Sequence, residues 1–449
     1  MARPTPLSGF PEFGPAERIA EQRVLDTLRE TFESWGFASL QTRAVEPMAQ
    51  LLRKGEIDKE VYVLRRLHAD PDEEADADRT LGLHFDLTVP FARYVLENSG
   101  KLQFPFKRYQ IQSVWRGERP QEGRYREFTQ ADIDIVGDGE LAFHADVEVA
   151  QVMAEAMGRL PLPALRMQVN NRKLIEGFYR GVGAADPAAV MRAIDKIDKL
   201  APDAVRDLLV AEAGLDGEQA DLCLRLAAIS GSDASFADEV RALKVEHPLL
   251  DEGLDELVRV VEAVGPLATD RFTAVADLRI ARGLDYYTGT VFETRMAGFE
   301  SLGSICSGGR YDSLASDGAK TYPGVGISLG VTRTLAPLFA RGAIHVSRSV
   351  PTVVVVALAD EESRPACQAV AARLRARGMA VEVSPSAAKF GKQIRYADRR
   401  GIPFVWFPQP DGTHQVKDIR SGEQVDADPD VWTAPAADLA PTVTAVLPG

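Results

Sequence analysis

The run ARGLDYYTGTVFE, residues 281–293, brings a guanidinium, a carboxylate and two phenols within a few positions: Arg282, Asp285, Tyr286 and Tyr287. Thr288, Thr290, Val291 and Phe292 suit a half-buried strand, and Gly283 and Gly289 thin the backbone beside the charged groups. A second constellation lies upstream in FKRYQIQSVWRGE and YREFTQADIDIVG, where Arg116, Glu118, Arg124, Arg126, Gln130 and Asp134 fall together. Guanidinium forks match phosphate oxygens, and a carboxylate on the same sheet face can read a cationic or N–H-bearing ligand. Each set also has a plain structural reading: Arg282 paired with Asp285 on an ordinary strand, and a cross-strand ladder of ion pairs on the hairpin. Two glycine-laced stretches complete the set. SGGRYD (307–312) is either a ligand approach or a turn, and YPGVGISLGVTRTL (322–335) runs from a strand into a helix near Arg333. The second stretch lacks the GK[ST] ending of a P-loop, and the chain has no HExxH or dinucleotide fingerprint. Arginines without a catalytic Cys, His or metal cluster work by positioning and charge stabilisation, as phosphoryl and nucleotidyl transfer require.

Such residues need rigid carriers. Between Phe104 and Gly137 the pattern has period two, which predicts two antiparallel strands joined by a loop holding Arg119, Pro120, Gly123 and Arg124. In the second strand Thr129, Ala131, Ile133 and Ile135 form one face, and Phe128, Gln130, Asp132 and Asp134 the other. Ala20, Val24, Leu28, Thr31 and Trp35 have helical spacing, with Pro15 suited to the first turn and Gly36 to the end. Residues 181–265 are rich in Ala, Leu, Asp and Lys and predict a helical insertion, since strand-type sequence resumes at Phe272. The last hundred residues alternate strand and helix: PTVVVVALA, a helix over 362–377, MAVEVS, a basic helix over 389–400, and IPFVWF. That alternation predicts a small parallel α/β domain, closed by a hairpin in THQVKDIRSGEQV. HADPDEEADAD, from His68, is a solvated acidic loop or a flap.

The chain has 449 residues, enough for about three domains, and carries a net charge of −14. That charge argues against a protein that simply coats nucleic acid. Its distribution is uneven: residues 341–420 hold 13 Lys and Arg against 7 Asp and Glu, so the C-terminal region can still meet RNA. No apolar run is long enough to cross a bilayer, no secretory start is evident, and Cys223, Cys306 and Cys367 are far apart. These features lead us to expect a cytoplasmic protein without a membrane role.

Taken together the motifs are recognisable. The hairpin from Phe106 to Gly137 resembles motif 2 of class II aminoacyl-tRNA synthetases, GVGISLGVTRTL resembles motif 3, and SLQTRAVEP with Pro47 resembles motif 1. ARGLDYYTGTVFE and SGGRYD are similar to the paired histidine motifs of the histidyl-tRNA synthetase family. The likeness runs from about residue 5 to about residue 425. It implies an α+β catalytic domain on an antiparallel sheet, with residues 1–180 and 266–342 as its two parts, 181–265 as a helical insertion domain, and 350–449 as an α/β anticodon-binding domain. It also implies activation of L-histidine by ATP with Mg2+, transfer to the 3′-terminal adenosine of tRNA-His, and a homodimer built at motif 1. By position Arg116 would hold the α-phosphate, Glu118 the adenine amino group, Phe128 the adenine face and Arg333 the γ-phosphate. Asp86, Thr88 and Gln130 match the positions that grip the substrate's amino end, and Asp134, Tyr286 and Tyr287 the imidazole pocket. Arg282 matches the residue between the reacting carboxylate and the α-phosphate. Lys389, Lys392, Arg395, Arg399 and Arg400 are candidate tRNA contacts, and no metal site made of protein ligands alone is expected. The chain departs from the pattern at His84, where many relatives have arginine, and at Thr332, where motif 3 usually has an acid. A regulatory paralogue acting in histidine biosynthesis is the nearest rival, but such proteins generally lack the anticodon domain and lose catalytic arginines, both kept here. RGLDYY and SGGRYD disfavour the threonyl and prolyl enzymes.

Overall fold

The computed structural model describes residues 5–52, 60–68, 80–280 and 286–446. Arg282, Asp285 and the acidic stretch 69–79 lie outside the described residues. The described residues form two compact units, one made of 25–341 with 5–11 and the other of 342–446 with 12–24.

The chain opens with α1 (Pro15–Ser34), β1 (Ala38–Ser39), β2 (Val45–Pro47), α2 (Met48–Leu51), β3 (Val63–Leu64), β4 (Leu81–Leu83) and α3 (Thr88–Asn98). The motif-bearing hairpin follows as β5 (Phe106–Trp115) and β6 (Glu127–Val136), then α4 (His144–Arg159), β7 (Leu165–Asn171) and α5 (Arg172–Gly181). Next come α6 (Pro187–Ile194), α7 (Pro202–Ala211), α8 (Gly217–Ala227), β8 (Ser230–Gly231), α9 (Phe236–Arg241) and α10 (Pro248–Val264). The unit is completed by β9 (Phe272–Asp277), β10 (Thr290–Met296), β11 (Cys306–Tyr311), β12 (Gly324–Gly330) and α11 (Val331–Ala340).

Local chemistry accounts for these elements. Gly36 ends the turn after α1 at φ +78°, a conformation that costs glycine nothing. Asp216 and Gln219 cap the start of α8 reciprocally, each side chain bonding the other's backbone N–H. The Asp86 carboxylate accepts the Val89 N–H at 3.0 Å and so closes the first turn of α3.

Nine strands form one sheet in the order β1-β5-β6-β12-β11-β10-β7-β9-β8. From β5 to β7 the neighbours are antiparallel, while β1–β5 and β7–β9 are parallel. The register aligns a polar row across six strands: Gln110, Asp132, Ser328, Ser307, Glu293 and Gln168. Residues two positions along a strand share a face. Gln130 and Asp134 therefore stand on the same side as this row. The other face of β6 is apolar, with Ala131, Ile133 and Ile135 all but fully buried. Each of the two isoleucines contributes about 1.5–3 kcal/mol relative to exposure, which anchors the strand that carries the polar row. The described part of the ARGLDYYTGTVFE run, from Tyr286, is not a strand throughout. Pairing begins at Thr290, so Tyr286 and Tyr287 sit on the approach to β10 rather than in it.

In the second unit β13 (Ile344–Val346) pairs with the strand at Val443–Ala445, and β14 (Val354–Val356), α12 (Arg364–Ala376), β15 (Val381–Val383), α13 (Phe390–Arg399), β16 (Phe404–Pro408), β17 (His414–Asp418) and β18 (Gln424–Asp426) lie between. The sheet order is β15-β14-β16-β17-β18, with β14 parallel to both of its neighbours. Val354 and Val356 enter one core cluster, and Val355 and Ala357 another. The continuous apolar run is thus buried on both faces. Among the described residues no helix is long and apolar enough to cross a membrane.

Candidate active site

A cleft enclosing about 830 Å³, part of it open to solvent, lies over the polar face of the first sheet. Asp86, Thr88, Arg116, Glu118, Phe128, Gln130, Tyr286, Tyr287 and Arg333 all line it, although they come from segments more than 240 positions apart. The Arg116 Nε donates to the Phe85 carbonyl at 3.0 Å, and its guanidinium lies 5.1 Å from the centre of the Phe128 ring. The cation is therefore held from one side and leaves part of its fork for a ligand. Glu118 lies 3.7 Å from Arg116 and accepts from Arg124 at 3.2 Å, a pairing exposed enough to be exchanged at little cost. Arg333 donates from Nη2 to the Leu302 carbonyl in the first turn of α11.

A second, smaller pocket adjoins the cleft and shares Thr88, Tyr286, Tyr287, Ser307 and Ser328 with it. Asp132, Asp134 and Tyr311 line only this smaller pocket. Asp134 is clamped from two sides: Arg108 lies 2.6 Å from Oδ2, and the Tyr311 hydroxyl donates to Oδ1 at 2.7 Å. Arg108 is fully buried and lies 4.2 Å over the Phe91 ring. Two glycines make the pocket possible. A Cβ on Gly326 would stand 2.1 Å from Asp134 Oδ1, and one on Gly309 would stand 2.8 Å from the Tyr287 ring. The Tyr286 and Tyr287 rings lie 4.2 Å apart. Burial drives the Tyr287 and Tyr311 hydroxyls well above their ordinary range, with Asp134 adding to the shift, so both remain neutral donors. Burial also pushes Asp132 up to about 7, against Arg108 and with Asp134.

Sequence patterning left several partners unnamed. Arg108 and Tyr311 escaped because each acts through a neighbour on another strand, although Arg108 stands two places before Gln110 on the same face and Tyr311 lies inside SGGRYD. Ser304 also lines the cleft without any motif of its own, and Ser307 and Ser328 line it from within SGGRYD and YPGVGISLGVTRTL. Arg310, the one cation of SGGRYD, is turned away from the pocket's chemistry. It pairs with Asp146 at 2.7 Å and Asp312 at 3.2 Å, tying β11 to α4.

The two departures have structural roles. The His84 Nε2–H donates to the Ser113 carbonyl at 2.8 Å, and the ring stacks on Trp115; burial lowers its proton affinity, so it stays neutral. The Thr332 hydroxyl accepts the Thr129 N–H at 2.9 Å, joining α11 to β6. In the second unit, Lys389, Lys392, Arg395 and Arg399 are exposed on or beside α13. Arg400 differs from them. It is ion-paired with Glu382 at 2.5 Å and bonded to the Tyr396 hydroxyl, which leaves it less available to a phosphate.

Comparison with known proteins agrees in both units. Residues 9–334 match the family model described as histidyl-tRNA synthetase, and residues 352–430 match an anticodon binding domain. The chain is 61% identical to a histidine–tRNA ligase of Cutibacterium acnes over 99% of both chains, and 60% identical to one of Micrococcus luteus over 99% of both. It is also similar to the crystal structure of histidyl-tRNA synthetase from a Nostoc species, with a TM-score of 0.85 and 34% identity over 96% of this chain and 98% of that one. With that extent of likeness spanning both the cleft and the C-terminal unit, the chain belongs to the histidyl-tRNA synthetase family of class II aminoacyl-tRNA synthetases.

Proposed function

We propose that ATP occupies the larger cleft and histidine the adjoining pocket, so that the two meet beside the approach to β10. The chain is a histidine–tRNA ligase, which uses ATP to charge tRNA-His with histidine through an adenylate. A carboxylate oxygen of histidine attacks the α-phosphorus and pyrophosphate leaves. The terminal adenosine hydroxyl of the tRNA then attacks the histidyl carbonyl and AMP leaves. Both partners of the first step are anionic, so the reaction needs fixed cations near the point of attack. Arg116 at the α-phosphate and Arg333 at the γ-phosphate would supply them, and Arg282, outside the described residues, would by its place in the sequence motif offset the charge of the substrate carboxylate and the α-phosphate. Phe128 offers its face to adenine, and Glu118 accepts from the adenine amino group. Asp86, Thr88 and Gln130 take the substrate's ammonium end, while Asp134, Tyr286 and Tyr287 take the imidazole.

The observation that carries this reading is the clamp on Asp134. A carboxylate held by Arg108 and Tyr311 at the floor of a pocket walled by neutral tyrosines suits a flat ring with N–H donors. Mg2+ would arrive on the nucleotide. It would keep several of its waters and take most of its other oxygens from the phosphates.

Residues 1–180 and 266–342 would form the catalytic domain, 181–265 the insertion and 350–449 the anticodon-binding domain. Lys389, Lys392, Arg395 and Arg399 suit tRNA phosphates, with Arg400 in a supporting place through Glu382. A homodimer at motif 1 is supported by Val63 and Leu81, apolar side chains exposed on the small β2-β4-β3 sheet beside it. Three free, buried thiols suit the cytoplasm as the working compartment. Pyrophosphate exchange into ATP, measured with each of the twenty amino acids, tests the proposal. Exchange with histidine alone is expected, and comparable exchange with another amino acid would overturn it.

A further inference from the structure

We infer that Asp132 and Ser328 act as positioning residues that fix which end of the Gln130 amide faces the substrate's ammonium group. This rests on the reading of Gln130 as part of the ammonium site. Ser328 lies between the other two: its hydroxyl donates to Asp132 Oδ1 at 2.5 Å, and its oxygen accepts from Gln130 Nε2 at 2.7 Å. A hydroxyl has one proton to give. An ionised Asp132 can only accept, so it takes that proton and obliges Ser328 to accept from the amide NH2. The amide carbonyl is then the end left for the cleft that Gln130 lines. Gln130 Oε1 is indeed buried with no hydrogen-bond partner among the described residues. A carbonyl oxygen there accepts from an ammonium; an NH2 in its place would set donor against donor.

The relay also carries a proton-dependent alternative. Once protonated, Asp132 can donate to Ser328, and the serine proton is free to turn to Gln130. The favoured amide is then the flipped one, with its NH2 toward the ammonium. The charged and titratable groups facing Asp132 are Arg108 on β5, Asp134 on its own strand, Asp86 before α3, Cys306 on β11, and Tyr287 and Tyr311 in the pocket. Burial outweighs Arg108 and holds the Asp132 carboxyl at about 7. The sign follows: the ammonium grip is tight above about 7, where Asp132 is ionised, and weakens as the pH falls through that value.

The test uses the full-length chain in histidine-dependent pyrophosphate exchange between pH 6 and 8.5. Imidazole-4-propionate, which keeps the ring and carboxylate but lacks the amine, serves as a competitive inhibitor. Each constant is first corrected for its own ligand's ring titration, because the electron-withdrawing ammonium gives histidine a lower ring pKa than the inhibitor, and the histidine KM is then divided by the inhibitor Ki. For the unaltered protein this ratio is expected to rise as the pH falls below about 7. Ser328→Ala should raise the histidine KM by about tenfold or more, the scale of a hydrogen bond to a charged group, with the inhibitor Ki and the ATP KM within about twofold of the parent values. Asp132→Asn keeps the shape without a titrating proton and should flatten the pH dependence of the ratio. Equal losses for histidine and inhibitor in Ser328→Ala would overturn the relay, as would an undiminished pH slope in Asp132→Asn. Gln130→Ala separates the two levels. If it leaves the histidine KM unchanged, the ammonium-site reading falls and the relay with it; if it raises that KM while Ser328→Ala does not, the relay alone falls.

Discussion

At the scale of single residues, the proposed histidine pocket depends on Arg108, a cation that lines neither cavity. Arg108 is fully buried and lies against Asp134 from behind, at 2.6 Å. Removing one partner of a buried ion pair strands the other charge, at a cost of about 3–5 kcal/mol. Arg108→Met should therefore lower unfolding stability by about that amount in a urea titration. In the folded fraction the histidine KM should rise more than the ATP KM. Unchanged stability would mean that Asp134 is satisfied without Arg108. This part of the site was hard to read in the sequence. Phe128, Gln130 and Asp134 stood out because strand alternation puts them on one face of a strand, and Arg116 and Glu118 because they are charged groups in the same hairpin. Nothing local ties Arg108 to Asp134 or Tyr311 to either, since those contacts depend on the register of β5 with β6 and of β11 with β12.

At the scale of elements, β12 works by what it lacks. It runs beside β6 with Gly326 opposite Asp134, and an added methyl group would overlap the carboxylate. Gly326→Ala is expected to displace Asp134, raising the histidine KM by about tenfold or more while costing about 1–3 kcal/mol of stability. Pyrophosphate exchange and urea denaturation measure the two effects, and an unaltered histidine KM would show that Asp134 has room to move. The hairpin, the strand leading into α11 and the both-faces-buried strand β14 were legible from periodicity and composition. The opening run was not, because its aromatic and β-branched residues favour a strand on propensity alone, whereas ladder pairing starts at Thr290. Propensity describes side chains that fit a pleated surface. It does not say where the neighbouring strand ends.

At the scale of the whole molecule, an acidic chain must still bind an anionic tRNA, and the exposed cations of α13 offer one place to do so. Replacing Lys392, Arg395 and Arg399 together by glutamate should leave pyrophosphate exchange within about twofold while tRNA-His charging falls by tenfold or more and its salt dependence flattens. Charging that keeps its salt slope would move tRNA recognition to another surface. Recognition of histidine and ATP in adjoining cavities is tested most directly by Asp134→Asn in the full-length chain. The amide keeps the size of the carboxylate but can turn a donor toward the ring N–H, and a site built to accept an N–H discriminates strongly by that bond. Measured by pyrophosphate exchange, the histidine KM should rise by about a hundredfold or more with the ATP KM nearly unchanged. Equal changes in the two constants would contradict the account, because Asp134 would then support the sheet and not read the substrate.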